Sequence, residues 1–169
     1  KERTLYVCYN RTLADHIQTL APSQTDVVTF HQHCDEYAKQ HGHAPDFSNA
    51  SVFEELANTY MANAENLTPR FDLLVIDESQ DFYPDWVSAL ANELKPNGRL
   101  YVLGDENQQL YEREAFELAG AVRIECTDNF RSPHNVVHAI NKLSLISQPI
   151  VACSGHEGEA PNIYTHDDQ

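Results

Sequence analysis

Residues 71–81 read FDLLVIDESQD, and they decide how the rest of the chain is interpreted. An aliphatic run over residues 73–76 stops at Asp77, and three acids and a glutamine occupy the next five positions. A short, continuously apolar run is typical of a strand in a parallel sheet that is covered on both faces. The acids therefore fall at the end of a buried strand, where a solvated turn or a functional site is expected.

On both sides of this stretch, short apolar runs alternate with amphipathic stretches along the chain. We expect strands over residues 5–8, 27–30, 73–76, 100–103 and 122–126, and helices over residues 12–20, 31–40, 52–63, 85–94 and 133–145. Thr12 and Ser51 are predicted N-caps, Pro84 a helix start, and residues 95–98 (KPNG) a turn. Alternating strands and helices predict an α/β fold, a doubly wound parallel sheet with helices on both faces.

Composition and charge narrow the class of protein. The 169 residues carry a net charge of −15, with 11 basic residues against 26 acids, which argues against a dedicated nucleic-acid-binding module. Any contact with nucleic acid must then use a small local patch, and most acids are interpreted as a solvated face. No apolar run reaches the roughly 20 residues of a membrane helix, so no membrane partner is expected.

The cysteines indicate a reducing compartment. Four cysteines stand far apart without a CxxC pair, which favours buried thiols in a cytoplasmic protein over a disulfide scaffold. Residues 31–34 (HQHC) raise the alternative of a zinc site, but a closed site requires further ligands at suitable spacing.

Three of the predicted strands end in polar clusters. Residues 77–81 (DESQD), 104–108 (GDENQ) and 127–132 (TDNFRS) each follow an apolar run. In a doubly wound sheet, ligands bind at the carboxyl ends of the strands. Acids, amides and one arginine in such a crevice are what a magnesium–nucleotide site requires, since one acid holds the cation and a second orients water.

An ordered series of motifs points to one family. The series comprises residues 6–10 (YVCYN) followed by Leu13-Ala14, then residues 29–31 (TFH), 77–81 (DESQD), 104–111 (GDENQQLY) and 129–132 (NFRS). In this order the stretches resemble motifs Ia, Ib, Walker B, III and IV of the UvrD/Rep-like superfamily 1 DNA helicases. The resemblance implies a RecA-like P-loop NTPase core that couples Mg²⁺-ATP hydrolysis to movement on single-stranded DNA.

The resemblance also implies roles for individual residues at the nucleotide. Asp77 would coordinate Mg²⁺, Glu78 would polarise the hydrolytic water, and Gln108 would sense the γ-phosphate. Asp105 would join the nucleotide-binding residues of motif III. Phe130 stands where the family usually has an adenine-stacking tyrosine, and Arg131 where its arginine contacts the γ-phosphate. On the single-stranded DNA side the implied residues are Tyr9, Asn10, His31 and Tyr111.

One family motif is missing from the sequence. None of the six glycines is followed by lysine, so the GxxxxGK[ST] P-loop is absent. The resemblance implies that missing segments of the same polypeptide supply it, with the given sequence cut at both ends. Residues 1–128 would form the first RecA-like ATPase domain without its P-loop strand, and residues 129–169 the hinge and the beginning of the second. These 169 residues alone are expected to be inactive.

Other interpretations of the same residues stay open. The chain would alternatively be an interaction or regulatory protein that keeps the fold without hydrolysis, or an ATPase translocase that does not unwind duplex. Residues 129–132 also suit a helix N-cap, because Ser132 precedes Pro133. Tyr9 and His31 are equally compatible with core packing or capping.

Overall fold

The computed structural model describes residues 2–105, 108, 120–144, 146 and 148–162. The chain divides into two compact units, residues 1–117 and 118–169. The first unit contains β1 (Thr4–Cys8), α1 (Arg11–Leu20), β2 (Thr25–Thr29), α2 (Phe30–Gln40), α3 (Val52–Ala62), β3 (Phe71–Ile76), α4 (Pro84–Ala91) and β4 (Leu94–Val102). The second contains β5 (Asp128–Asn129), α5 (His134–Leu143) and β6 (Val151–Ala152). None of the described helices is long and apolar enough to cross a membrane.

The described part of the first unit is built on a four-stranded, entirely parallel sheet, which confirms the α/β prediction. The strand order is β2-β1-β3-β4, with β3 between β1 and β4. The chain passes from β1 through α1 to β2 on one side, and β3 pairs on the other side of β1. This reversal is the topological switch point, where α/β proteins of this kind open a crevice at the carboxyl ends of the strands.

Helices α1 and α2 begin at side-chain caps, and α4 begins at a proline. Thr29 and Gln32 form a reciprocal capping box at the start of α2, and Pro84 occupies the first turn of α4 as predicted. The prediction that Thr12 caps α1 is wrong. Asn10 is the cap, because its side-chain oxygen accepts a hydrogen bond from the backbone of Leu13 at 3.2 Å.

Ser51 stands at the predicted N-cap position of α3 but makes no side-chain capping bond. Its hydroxyl instead contacts the Glu55 carboxylate at 2.5 Å and the Asn49 side chain at 3.0 Å. The start of α3 is therefore organised by bonds between side chains.

Strand β4 is longer and less regular than predicted. Leu94 pairs with Phe71 and Arg99 pairs with Leu73, so four residues on β4 (KPNG, residues 95–98) face a single residue on β3. The predicted turn is thus a wide bulge within the strand, a position in which Pro96 has no ladder hydrogen bond to lose.

The strand predicted over residues 122–126 does not form. These residues have no regular secondary structure, and Val122 and Ile124 are 87% and 85% exposed. The second unit instead pairs the two-residue strands β5 and β6 in parallel. Asn141 stabilises the return of the chain after α5, since its side chain bonds both the backbone N–H and the carbonyl of Ile150.

The core of the first unit lies between the sheet and its helices. Leu74 and Ile76 of β3, Val7 of β1 and Phe30 of α2 are almost completely buried in it. Two of the four cysteines, Cys8 and Cys34, are buried as predicted, whereas Cys126 is exposed and Cys153 partly exposed. All four are free thiols, and burial raises the pKa of Cys8 to about 11.

A buried carboxylate connects α2 and α3 to the beginning of β3. Glu93, which is 2% exposed, accepts hydrogen bonds from His33 of α2 at 2.5 Å and from Tyr60 of α3 at 2.6 Å. Its second oxygen accepts from the Arg70 guanidinium at 2.6 Å. The Glu93 backbone carbonyl accepts from Arg70 and Phe71 at the start of β3. Such a buried charge is tolerated because every oxygen has a partner.

These partners outweigh the effect of burial on the Glu93 pKa. Burial alone would raise it, but hydrogen bonding and attraction from His33, then Tyr60 and Arg70, lower it to about 2 from an ordinary value of 4.5. Since the folded-state pKa is depressed, the ionised carboxylate stabilises the fold fully above about pH 4.5. That contribution is lost as the pH falls from 4.5 toward 2.

Glu93→Gln is expected to lower the free energy of unfolding at neutral pH by roughly 3 kcal/mol, because it leaves the donors of the cluster with an uncharged, poorly matched partner. The difference from the unmutated protein should shrink as the pH falls below 4.5. Urea unfolding followed by circular dichroism over a pH series measures both effects.

Glu65→Gln is the matched control, since Glu65 is exposed on a short 3₁₀ turn. It should change stability by less than about 0.5 kcal/mol. Equal stability of the two variants would contradict a stabilising role for the buried cluster.

Candidate functional site

Polar side chains from three strand ends surround a cleft at the switch point of the sheet. The cleft has a volume of about 420 Å³, and its lining residues all lie in the first unit: Asn10, Thr12, Leu13, Glu78, Gln80, Asp81 and Gln108. They follow β1, β3 and β4, as expected for parallel strands whose carboxyl ends share one edge. The structure thus brings Asn10, Glu78 and Gln108, predicted separately from sequence, to one cleft.

Asp77 is fixed directly beyond the end of β3. Its backbone N–H donates to the Val7 carbonyl at 2.9 Å, which continues the pairing with β1 past the last strand residue. One carboxylate oxygen accepts from the Tyr6 hydroxyl, and the other accepts from the Glu78 backbone at 2.9 Å. Burial and the hydrogen bond to Asp77 raise the pKa of Tyr6 well above its usual range, so the Tyr6 hydroxyl stays a donor.

Glu78 adopts a backbone conformation that side-chain-bearing residues rarely take. Its φ and ψ are 53° and 46°, in the left-handed region, which costs about 1–3 kcal/mol at a non-glycine position. The Gln80 amide donates to the Glu78 carboxylate at 2.7 Å. The sharp turn and this hydrogen bond together fix the direction of the glutamate side chain at the cleft.

A chain of hydrogen bonds extends from Glu78 to Gln108. The Gln80 carbonyl oxygen accepts from the Asp105 backbone at 3.0 Å, and the Asp105 carboxylate accepts from the Gln108 amide at 2.7 Å. Gln80 therefore bonds the carboxylate after β3 with one end and the segment after β4 with the other.

Gly104 permits this close approach. A Cβ at position 104 would lie 2.4 Å from the Ser79 hydroxyl oxygen and 3.0 Å from the Gln80 side-chain oxygen. A contact of 2.4 Å does not occur between real atoms, so with any larger residue at position 104 the Ser79 and Gln80 side chains must shift. Glycine at this position leaves the Ser79 hydroxyl and the Gln80 amide where the structure has them.

Asp81 leaves one oxygen of the site without a protein partner. Its Oδ1 atom is buried and has no hydrogen bond among the described residues. Buried carboxylate oxygens normally find a donor or a cation. The orphaned oxygen is an observation in favour of a bound cation or water at this cleft.

The oxygen donors around the cleft are typical of an open magnesium site, in which the protein provides only some of the ligands. The described residues contain no group of three or more His, Cys, Asp or Glu side chains placed to hold a metal. Mg²⁺ commonly takes one or two carboxylates and completes its shell with phosphates and water. Asp77, Glu78 and Asp81 are the acids of residues 77–81 that would supply such a partial set of ligands.

The zinc alternative at residues 31–34 finds no support in the described residues. His33 is 2% exposed and its ring bonds Glu93, while the ring of His31 lies against Phe30 at 5.6 Å. The two histidines therefore belong to different environments, one buried and ionic and one aromatic.

The predicted nucleic-acid residues of the first two motifs lie together. The Tyr9 and His31 rings meet edge to face at 5.8 Å, and Tyr9 also contacts Phe82 at 6.4 Å. Both residues are half-buried. Asn10 is exposed at the beginning of α1, at the positive end of the helix, and lines the cleft. The fourth predicted residue, Tyr111, lies outside the described residues.

The motif at residues 129–132 forms a tight turn rather than a helix cap. The Asn129 side-chain oxygen accepts from the backbone of Arg131 at 3.1 Å and of Ser132 at 2.7 Å. Helix α5 begins later, after Pro133. The turn leaves Phe130 71% exposed and Arg131 exposed within the second unit. Their assignment to the nucleotide stays a prediction.

The residues that hold the predicted acids in place are not identifiable from the sequence pattern. Tyr6, Gln80 and Gly104 lie within the motifs, but no role for any of them follows from the motifs. Tyr6 pairs with Val75, two residues before Asp77, so it shares a sheet face with Asp77 and reaches it diagonally. A hydroxyl-bearing residue within an apolar strand was the one available signal.

The parallel sheet and the polar cleft at its carboxyl edge define a RecA-like P-loop NTPase fold. A family model described as an AAA domain matches residues 1–114. The chain therefore belongs to the AAA domain family, which indicates a nucleotide-hydrolase domain of the P-loop class. None of the curated proteins searched matches the chain.

Gly104→Ala is expected to lower the free energy of unfolding by roughly 1–3 kcal/mol, because the added methyl group overlaps Ser79 and Gln80. Adding Ser79→Ala should recover part of the loss, since it removes the nearest atom. Urea unfolding of the single and double variants measures both changes.

Gly155→Ala provides the control, because a Cβ at position 155 meets nothing within 4 Å. Its stability should match that of the unmutated protein. A Gly104→Ala variant as stable as Gly155→Ala would disprove the close approach at position 104.

Proposed function

We propose that this chain is part of a UvrD/Rep-like superfamily 1 helicase or translocase, which couples Mg²⁺-dependent ATP hydrolysis to movement on single-stranded DNA. The observation that carries the proposal is the hydrogen-bonded chain Glu78–Gln80–Asp105–Gln108. It joins the acid of the Walker B-like motif to the glutamine of the motif III-like stretch. A motor requires such a connection between its hydrolytic and its substrate-responsive residues.

In this proposal the two acids that follow β3, Asp77 and Glu78, have different roles. Asp77, already held by Tyr6 and by the backbone, is the residue that would hold Mg²⁺, and bound Mg²⁺ would neutralise charge on the phosphates. Glu78 orients the attacking water and accepts its proton. The hydrogen bond from Gln80 supports this role, because a general base must be held in one direction to be effective.

The P-loop that would cradle the phosphates is not within the 169 residues. The proposal assigns that function to another segment of the same polypeptide. Gln108 at the cleft then senses the γ-phosphate, and Asp105, which Gln108 contacts, transmits its position toward Gln80 and Glu78.

Single-stranded DNA is proposed to cross the carboxyl edge near β1. Tyr9 and His31 are half-buried aromatic residues on which bases would stack, and base stacking is worth about 1–3 kcal/mol per base. Asn10 stands at the positive end of α1, which favours a phosphate group. Such contacts supply a local patch on a chain whose net charge is −15.

Phe130 and Arg131 are proposed to contact the nucleotide in the full-length protein. The exposed ring of Phe130 suits stacking on adenine, and the planar guanidinium of Arg131 suits two-pronged contact with the γ-phosphate. The turn made by Asn129 supports these roles, because it presents both side chains without using them as helix caps.

A non-catalytic interaction or regulatory protein is the second candidate. The absence of GxxxxGK[ST] from the given sequence favours it. ATP-dependent phosphate release by the natural full-length protein discriminates between the two. A protein that releases phosphate on single-stranded DNA but does not separate duplex strands would instead be a translocase.

Glu78→Gln in the full-length protein is expected to reduce the rate of ATP hydrolysis by about 10²–10⁴-fold, because it removes the carboxylate that accepts the proton from water. ATP binding should survive, since Asp77 remains. Steady-state phosphate release and equilibrium binding of a fluorescent ATP analogue, both with oligo-dT present, measure the two quantities.

Glu65→Gln serves as the control for removal of an acid, because Glu65 is exposed and lies outside the cleft lining. Its hydrolysis rate should be unchanged. Loss of nucleotide binding with normal residual turnover in Glu78→Gln would invalidate the assigned roles.

Arg131→Lys is expected to depress the rate at saturating ATP by about 10³–10⁵-fold while changing nucleotide affinity much less. Lysine keeps the charge but lacks the planar two-pronged contact. The measurements are DNA-stimulated phosphate release and the nucleotide dissociation constant. An Arg131→Lys variant with an unchanged rate would mean that the residue has only a structural role in the turn.

A further inference from the structure

A second surface of the first unit combines exposed aromatic rings with acids. Phe47, Phe53 and Tyr83 are 58%, 52% and 49% exposed. Together with the half-buried rings of His31 and Trp86, they form a surface that we name the aromatic ledge. Large exposed aromatic side chains in one place are typical of interaction sites.

The ledge is a connected and well-supported surface. His31 lies 5.4 Å from Phe53 and 5.5 Å from Trp86, and Phe47 lies 6.3 Å from Phe53. Tyr83 contacts Trp86 at 4.8 Å. Trp86 in turn stacks on the fully buried Phe30, with centroids 4.0 Å apart and planes inclined by 15°. Because it rests on the core, the ledge loses little side-chain entropy when a partner binds.

The segments that carry most of the ledge are entirely without lysine and arginine. Residues 41–58 and 80–94 contain neither residue type. The same two segments carry the exposed acids Asp46, Glu54, Glu55 and Asp85. Hydrogen bonds from the Ser48 hydroxyl and backbone lower the pKa of Asp46, which keeps it ionised.

We propose that the aromatic ledge binds an arginine-rich segment of a partner protein. Guanidinium groups stack on aromatic faces and pair with carboxylates in the same contact, and arginine does both better than lysine. Exposed acids and exposed aromatic rings on the same segments provide both halves of that recognition. The proposal goes beyond hydrolysis and DNA movement and does not depend on them.

The ledge shares His31 with the proposed DNA path, but the charges of residues 41–58 and 80–94 disfavour a nucleic-acid strand on the rest of it. A DNA strand would bring its phosphates toward Glu54, Glu55 and Asp85, with no lysine or arginine in either segment to offset the repulsion. A cationic peptide would be attracted to the same acids. Electrostatic complementarity therefore selects the protein segment as the occupant.

The test uses a fluorescein-labelled arginine nonamer as the probe and the full 169-residue chain as the protein. Trp86 is the single tryptophan in the sequence, so its emission reports directly on binding at the ledge. We expect the nonamer to bind with a change in Trp86 emission, and a lysine nonamer to bind several-fold more weakly. The double variant Phe47→Ala/Phe53→Ala should weaken arginine-nonamer binding about tenfold.

Charge is tested with two double variants that change the net charge equally. Glu54→Gln/Glu55→Gln removes acids of the ledge, and Glu36→Gln/Glu65→Gln removes exposed acids elsewhere. The first pair should weaken arginine-nonamer binding about tenfold at 0.1 M salt, and the second much less. Both pairs are exposed, and circular dichroism verifies that each variant is folded.

Two results would overturn the proposal. Equal weakening by the two glutamine pairs, with no effect of the phenylalanine pair, would show only general attraction to an acidic protein. Oligo-dT binding that changes Trp86 emission and depends on Phe53 would assign the ledge to nucleic acid instead.

Discussion

The parallel pairing of β3 with β1 on one side and β4 on the other is the constraint on which the cleft depends. Val7 lies opposite Ile76, and Ile76 lies opposite Val102, so the three strands end at nearly the same level. The residues that follow each strand must therefore converge. A slip of one residue would turn Leu74 and Ile76, now buried, toward the opposite face, which makes this register strongly preferred.

The carboxylates near the two ends of β3 have different kinds of hydrogen-bond partners. At the amino end, Glu93 is enclosed and bonded to histidine, tyrosine and arginine, so its charge is used within the fold. At the carboxyl end, the described contacts of Asp77 and Glu78 come from a tyrosine hydroxyl, a glutamine amide and backbone N–H groups. Neutral donors orient a carboxylate without cancelling its charge. The carboxyl end thus keeps the negative potential that a cation requires.

Much of the first unit was predictable because its signals are local. The aliphatic run before Asp77, the proline at Pro84 and the Thr29 stretch each identify an element from a few neighbouring residues. The prediction for residues 122–126 was wrong because alternation of Val122, Ile124 and charged residues has the period of a strand, while the fold leaves both apolar side chains exposed. Periodicity alone cannot tell whether a covering layer exists.

The candidate site was predicted in part for the same reason. The acids and amides are visible as residue types at strand ends, and the structure places three predicted residues in one cleft. Tyr6 and Gln80 were missed because their importance depends on register and on a contact across 25 positions, from Gln80 to Asp105. Neither is encoded in a short stretch of sequence.

The bulge at residues 95–98 has a consequence for how the molecule meets copies of itself. Strand β4 is at the border of the described sheet, and a border strand is a template on which a strand from another molecule can pair. The KPNG segment interrupts that template near its beginning, and Pro96 contributes no N–H to it. An incoming strand would find only Arg99 to Val102 in regular register, four residues that include the charged Arg99. Four residues in regular register provide few hydrogen bonds to a strand from another molecule, which disfavours aggregation through β4.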